Sequence, residues 1–141
     1  MLQIIVDRLK DKAPALTAVE TAENLDALEK GTAPRSGTTF VLPFRERPEP
    51  NPYGAGAFRQ LVHVQFLTAL IIRRYDDATG GKKVSMFDTL KGEIEQALAG
   101  WAPLPESELV EMVAGQAAPL GNGVTAYVQT WQTTRNLEIR P

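Results

Sequence analysis

Residues 58–75 read FRQLVHVQFLTALIIRRY, and the architecture turns on this stretch. Val62, Val64, Phe66, Leu70 and Ile72 alternate with Leu61, His63, Gln65, Leu67, Ala69, Ile71 and Arg73, a period of two that belongs to a strand. In the second half both alternating sets are apolar, so a strand here needs cover on each face. Eighteen extended residues at about 3.3 Å each span roughly 60 Å. A globule of 141 residues has a radius of gyration near 14 Å and a diameter of roughly 37 Å. The strand is therefore expected to bend sharply or to project as an arm that another subunit covers, and the arm accounts for two apolar faces.

Upstream, Leu2, Ile5, Val6 and Leu9 recur at helical spacing and predict an opening amphipathic helix, limited by Pro14. Leu16–Val19 reads as a short strand. Thr21 is the expected N-cap of a second helix, Ala22–Glu29, with Leu25 and Leu28 inward and Gly31 at its end. Thr38–Phe44 is rich in β-branched and aromatic residues and predicts a strand. The segment RERPEPNPYGAG, residues 45–56, reads as a loop because its prolines and glycines interrupt helix and sheet interior alike.

Downstream, DDATGGKK at 76–83 reads as a flexible polar connection. Met86, Phe87, Leu90, Ile94, Ala97 and Leu98 then form the inner face of the main helix, with Ser85 as its N-cap and Gly100 at its end. Leu109–Ala114 and Val124–Thr134 predict two closing strands joined through GQAAPLGNG, and the tail after Asn136 is expected to be loose until something binds it. The length allows one domain, residues 1–141.

Composition removes several classes of function. The chain has no cysteine, so thiolate metal sites, disulfide frameworks and cysteine nucleophiles are excluded, and a reducing cytoplasm is the default. Fifteen basic against seventeen acidic residues leave a net charge of -2, without the basic excess that drives general nucleic-acid binding. The longest apolar run, Leu67–Ile72, is far below the roughly 18 residues that span a bilayer. A soluble protein without membrane contact is expected.

Chemistry finds no foothold either. His63 is the one histidine and reads as structural, since a metal or base-catalysed site needs convergent partners. Asp76 with Asp77 and Glu93 with Glu95 read as solvated charge. The ATGGKK segment lacks the spacing of a phosphate loop, because Lys83 follows Lys82 where a Ser or Thr belongs. No catalytic residue, metal or cofactor is expected. Arginine instead gathers at element ends, at Arg35, Arg45, Arg47, Arg59, Arg73, Arg74, Arg135 and Arg140, where its planar fork suits a neighbour's carboxylates. Trp101 and Trp131 read as packing residues.

The layout as a whole resembles that of the tail terminators of long-tailed bacteriophages, a group of small neck and minor tail proteins. An N-terminal helix leads to AENLDALEKGTAPRSGTTFVLPFRE, then to the Pro and Gly loop, the long strand FRQLVHVQFLTALIIRRYDDATGG, a helix ending in LAGWAP, and a closing strand pair. The resemblance implies an α+β fold, an antiparallel or mixed β-sheet with a long extended strand packed against two or three helices. It also implies a homo-oligomeric ring, usually of six copies, that caps the tail tube, ends its polymerisation and joins the tail to the head connector. Its partners would be itself, the tail tube protein and the head-tail connector protein, with DNA only passing through the lumen. Its place would be the virion tail or neck, after assembly in the host cytoplasm. The alternative is a head-closure or tail-completion adaptor on the portal side. Two irregular, charged segments are expected to carry subunit or tube contacts. The first contributes Phe44, Arg45, Glu46, Arg47 and Tyr53; the second contributes Arg73, Arg74, Asp76, Asp77, Lys82 and Lys83.

Overall fold

The computed structural model describes residues 1–30, 34–54, 57–73, 80–121 and 123–139. It is an α+β fold of three helices and a five-stranded mixed sheet. In chain order the elements are α1 (Leu2–Lys12), β1 (Ala18–Thr21), α2 (Leu25–Lys30), β2 (Thr38–Pro48), β3 (Arg59–Arg73), α3 (Gly80–Leu98), β4 (Glu111–Gly121) and β5 (Val124–Glu138). The sheet order is β1-β2-β3-β5-β4, with β1 parallel to β2 and the other neighbours antiparallel.

The strand expected at 58–75 is the centre of this sheet. Both of its edges are hydrogen-bonded: β5 pairs with β3 residue for residue from Arg59↔Glu138 to Arg73↔Val124, and β2 pairs from Thr39↔Leu70 to Pro48↔Val62. Both of its apolar faces are covered by its own chain. Phe66, Leu70 and Ile72 pack with Ile5, Val6 and Leu9 of α1, with Leu90, Ile94, Ala97 and Leu98 of α3, and with Trp131. Leu67, Ala69 and Ile71 pack on the other face with Leu28 of α2, Phe40, Leu42, Val124, Ala126 and Val128. The expected projecting arm is thus overturned. The length argument failed because it treated the strand as lone, whereas a fifteen-residue partner of equal reach, β5, accompanies it from end to end.

Trp131 is completely buried, and its indole Nε1 donates to Thr68 Oγ1 at 3.0 Å, so the one polar group of this large core residue is satisfied within the sheet. Helix α1 runs two residues beyond Lys10 and stops before Pro14, as its ring requires. Helix α3 closes at Leu98, and Gly100 takes φ +78°, a left-handed turn that suits glycine at a helix end.

Several boundaries differ from the sequence expectation. The first strand lies at 18–21 instead of 16–19, because register with Thr38–Val41 selects it. Thr21 belongs to that strand, and Asn24 Oδ1 accepts from Ala27 N at 2.9 Å as the actual cap of α2. Arg45–Pro48 is strand, not loop: β3 supplies a template on one side, while Pro43 and Pro48 lie where β2 has lost its β1 neighbour, an edge on which a missing N–H is tolerated. Residues 80–83, expected in a connection, form the first turn of α3, which begins at Gly80 and not after Ser85. Residues 115–121, expected in a turn, continue β4 along β5, with Pro119 again on an outer edge and a register shift after it. The tail is not loose through Glu138, since Leu137 and Glu138 pair with Gln60 and Arg59.

Gly115 has a steric reason. A Cβ there would lie 2.5 Å from Tyr127 Oη and 3.2 Å from its Cζ, while the Tyr127 ring stands edge-on to Phe87 of α3 at 5.0 Å between centroids. Glycine lets the tyrosine cross β4. Gly115→Ala is expected to destabilise the fold by about 1–3 kcal/mol through overpacking, and Tyr127→Phe in the same chain should recover part of that loss by removing the nearest atom. Urea denaturation of the three variants checks both outcomes.

Candidate functional site

The segment from Pro43 to Arg47 leaves the cover of β1, and its local geometry follows from one irregularity. Pro43 pairs with Phe66 and Arg45 with Gln65, so Phe44 has no cross-strand partner and forms a bulge. The bulge turns Phe44 outward, 52% exposed, and the Arg45 guanidinium sits 5.3 Å from its ring centroid. A cleft of about 420 Å³ lies beside it, lined by Met1, Leu2 and Ile5 of α1 and by Pro43–Glu46 and Val64–Phe66 of the sheet.

Arg45, Glu46 and Arg47 then alternate between faces. Glu46 points to the face of α1 and α3, where Arg135 of β5 reaches it across β3. The pair is bidentate, with Nε to Oε1 at 3.0 Å and Nη2 to Oε2 at 2.8 Å. Register places Glu46 opposite Val64 and Arg135 opposite Val62, so the ion pair and its aliphatic stems overlie two buried valines. The hydrogen bond from Arg135 holds the Glu46 carboxyl below its ordinary value of 4.5, against the opposing effect of burial. The same bond raises Arg135. Glu46, expected as a contact residue, makes this pair within the chain and stays 46% exposed.

Arg45 and Arg47 face the other way. Arg45 Nε donates to Gln65 Oε1 at 2.8 Å, and Gln65 Nε2 donates to Gln132 Oε1 at 2.9 Å. Gln132 is in turn the cross-strand partner of Glu111. Arg45, Gln65, Gln132 and Glu111 therefore form one row across four strands, with a cation on the β2 side and a carboxylate on the β4 side. Arg47 pairs with His63, His63 with Thr134, and Thr134 Oγ1 accepts from Glu108 N at 2.8 Å. Thr133 Oγ1 donates to Glu108 O at 2.7 Å, so both buried threonines clamp the acidic edge.

His63 Nε2 lies 3.2 Å from Glu49 Oε2 at the side of this row. Among the described residues no group of three or more His, Cys, Asp or Glu could hold a metal. No helix among them is long and apolar enough to cross a membrane. Trp131 is core, as expected, and Trp101 is partly buried under the Arg8 guanidinium, 5.0 Å from its ring. The arginines divide in their partners: Arg135 binds Glu46 and Arg59 binds Glu138 within the subunit, whereas Arg45 and Arg47 have no ion pair among the described residues.

The two expected contact segments do not come together. Tyr53 lies with Phe44–Arg47 toward one end of β3, in a connection tied by Asn51, whose side chain accepts from Tyr53 N and Arg59 N. Arg73 lies at the far end of β3, eight positions beyond Gln65, or roughly 26 Å along the strand. Its backbone N–H donates to Ser36 Oγ. Arg74, Asp76 and Asp77 fall outside the described residues, and Lys82 and Lys83 lie in the first turn of α3 with side chains also outside the description. Sequence reasoning missed the exposed groups on the opposite edge: Glu108 and Leu109 just before β4, and Glu111, Met112 and Val113 at its start. The signal available was a pair of glutamates beside an apolar strand start, but only the cross-strand register shows that Glu111 ends the row begun by Arg45.

A family model for phage tail terminator protein matches residues 1–141, the whole chain. The chain belongs to the phage tail terminator family. Tail terminators are structural proteins, so the chain is a virion tail component with a part in completing the tail. No curated protein matches it. The geometry above gives the sheet a bulged edge that carries Arg45 and Arg47 and an opposite edge that carries Glu111.

The Glu46 to Arg135 pair makes a signed pH prediction. A carboxylate whose folded-state pKa is lowered contributes stability that is full above its unfolded value and is lost as pH falls through the folded value. Stability should therefore drop as pH falls below about 4.5, and Glu46→Gln should flatten that part of the curve. At neutral pH the variant should cost on the order of 1 kcal/mol or less, because Glu46 and Arg135 are 46% and 32% exposed. Tm measured from pH 7 to pH 2.5 checks this: parallel curves for the two chains would remove the pair from the acid response.

Proposed function

We propose that copies of this protein form a ring, hexameric in the assembled particle, that seats on the last layer of the tail tube, stops its polymerisation and presents its other face to the head connector. The family match over residues 1–141 carries this reading. Stopping a polymer requires one face complementary to the tube end and another unlike the next tube layer, which is a task of surface shape and charge. A closed ring requires two different surfaces on each copy that fit one another.

The chain has surfaces of the right kind. Phe44, Arg45, Arg47 and Tyr53 are exposed toward one end of the sheet and are proposed to take part in subunit or tube contacts. Phe58, Leu137 and Ile139 are exposed beside them, where Ile139 N donates to Phe58 O at 3.4 Å. Arg73, with residues 74, 76, 77, 82 and 83, is proposed to serve the opposite end of the ring, since one end of a terminator meets tube and the other meets connector. DNA would pass through the lumen, and a net charge of -2 avoids strong phosphate retention by counterion release.

Purified protein added to growing tail tubes tests the proposal. Negative-stain images should show a cap at tube ends, tube length should stop increasing, and sedimentation should show an assembly of several copies on the tube. Binding to head necks with tubes left bare would favour the portal-side adaptor instead.

A further inference from the structure

The two outer edges of the sheet's polar half are complements of each other. At the level of the β2 bulge, Pro43, Phe66, Trp131 and Met112 form a single cross-strand row, and β4 carries its own bulge next to it, at Val113. Each edge thus breaks its ladder at the same height and turns apolar groups outward there. Phe44 is 52% exposed on the β2 side; Leu109, Met112 and Val113 are 58%, 50% and 52% exposed on the β4 side. In the row below, Arg45 stands on the β2 side and Glu111 on the β4 side; in the next, Arg47 stands on the β2 side and the exposed residue Glu108 is held near Thr134 through its backbone N.

We propose that a second copy of this chain docks here head to tail, the β2 edge of one copy against the β4 edge of the next. Phe44, stacked under Arg45, enters the groove of about 350 Å³ lined by Glu108, Leu109, Glu111, Gln132 and Thr133. Arg45 then meets Glu111 at matching height, and Arg47 comes to the neighbourhood of Glu108. Bulges on both edges, with Pro43 and Pro48 on the β2 edge, oppose a continuous β-ladder, so side chains make the contact. An isologous contact of either edge with itself would set like charges face to face, which disfavours it. Head-to-tail contact repeats, and it closes a ring when the rotation between copies divides a full turn. The inference rests on the ring reading and names its interface.

The test uses the full chain in two charge-reversed forms, Arg45→Glu with Arg47→Glu and Glu108→Arg with Glu111→Arg, each first shown to be folded by its unfolding curve. Association is read by sedimentation of concentrated protein, alone and with tail tubes. Each form by itself should lose at least tenfold in assembled fraction. Their equimolar mixture should recover assembly, because alternating copies restore opposite charges at every contact. Unimpaired assembly of either form, or a mixture no better than its components, overturns the interface. A second readout uses the absence of native cysteine: Phe44→Cys with Val113→Cys in one chain should give a ladder of oxidised oligomers. Dimers from a chain with only one of these cysteines would show an isologous contact and overturn the proposal. If the natural chain assembles while the charge exchange fails, only the interface is wrong. If the natural chain associates neither alone nor on tubes, the ring reading falls and the interface with it.

Discussion

A fifteen-residue strand with apolar side chains on both faces is stable in water only when both faces are covered and both edges are paired, and β3 imposes that demand on everything around it. Strand β5 matches its length, and β2 joins it on the other edge. Helices α1 and α3 cover one face, and α2 covers the other, where apolar residues of β2 and β5 pack beside those of β3 in the same sheet. The covers do not extend evenly. Toward Arg59 the strand turns polar, at Gln60, His63 and Gln65, and the helices give way to a bidentate ion pair on one face and to rows of hydrogen-bonded side chains on the other.

This change along one strand divides the molecule by task. The apolar half supplies the buried volume that holds the fold. The polar half is a three- to four-stranded plate whose positions are fixed by pairing, with Phe44, Arg45, Arg47, Glu111, Met112 and Val113 on strands and Tyr53, Glu108 and Leu109 on the segments that adjoin them. Thr133 and Thr134 tie the Glu108 backbone, Asn51 ties the β2 to β3 connection, and Arg135 ties Glu46. A protein that ends a polymer by surface fit benefits from such rigidity, because little conformational entropy is then lost on docking. The assembly reading draws on the family match and on these edges, no longer on an uncovered central strand.

Much of the fold was legible. The period of two in VHVQFLTALII, the helical spacing of Leu2 to Leu9 and of Met86 to Leu98, and the stops at Pro14 and Gly100 all correspond to elements of the structure. The misreadings share one cause. RERP, GQAAPLG and the tail Leu137–Glu138 carry weak or contrary local preferences, and each became strand because a neighbouring strand offered unpaired backbone groups along its whole length. Thr21 reads as the cap, but β1 takes it into register and Asn24 caps α2 instead. For the candidate surface, Phe44, Arg45 and Arg47 were legible as exposed and charged. The commitment of Glu46 to Arg135, 89 residues away, was not.

By itself the sequence determined the class of elements, their order and the apolar faces that must be buried, because hydrophobic period and the conformational limits of proline and glycine act over a few residues. Only the tertiary structure decided which strands extend each other, that the long strand is sheltered by its own chain, and that Arg45 and Glu111, far apart in sequence, end the same row of one sheet. Those outcomes depend on register between distant segments, which is set by the joint requirement to pair backbone groups and bury side chains, and no local stretch carries that information.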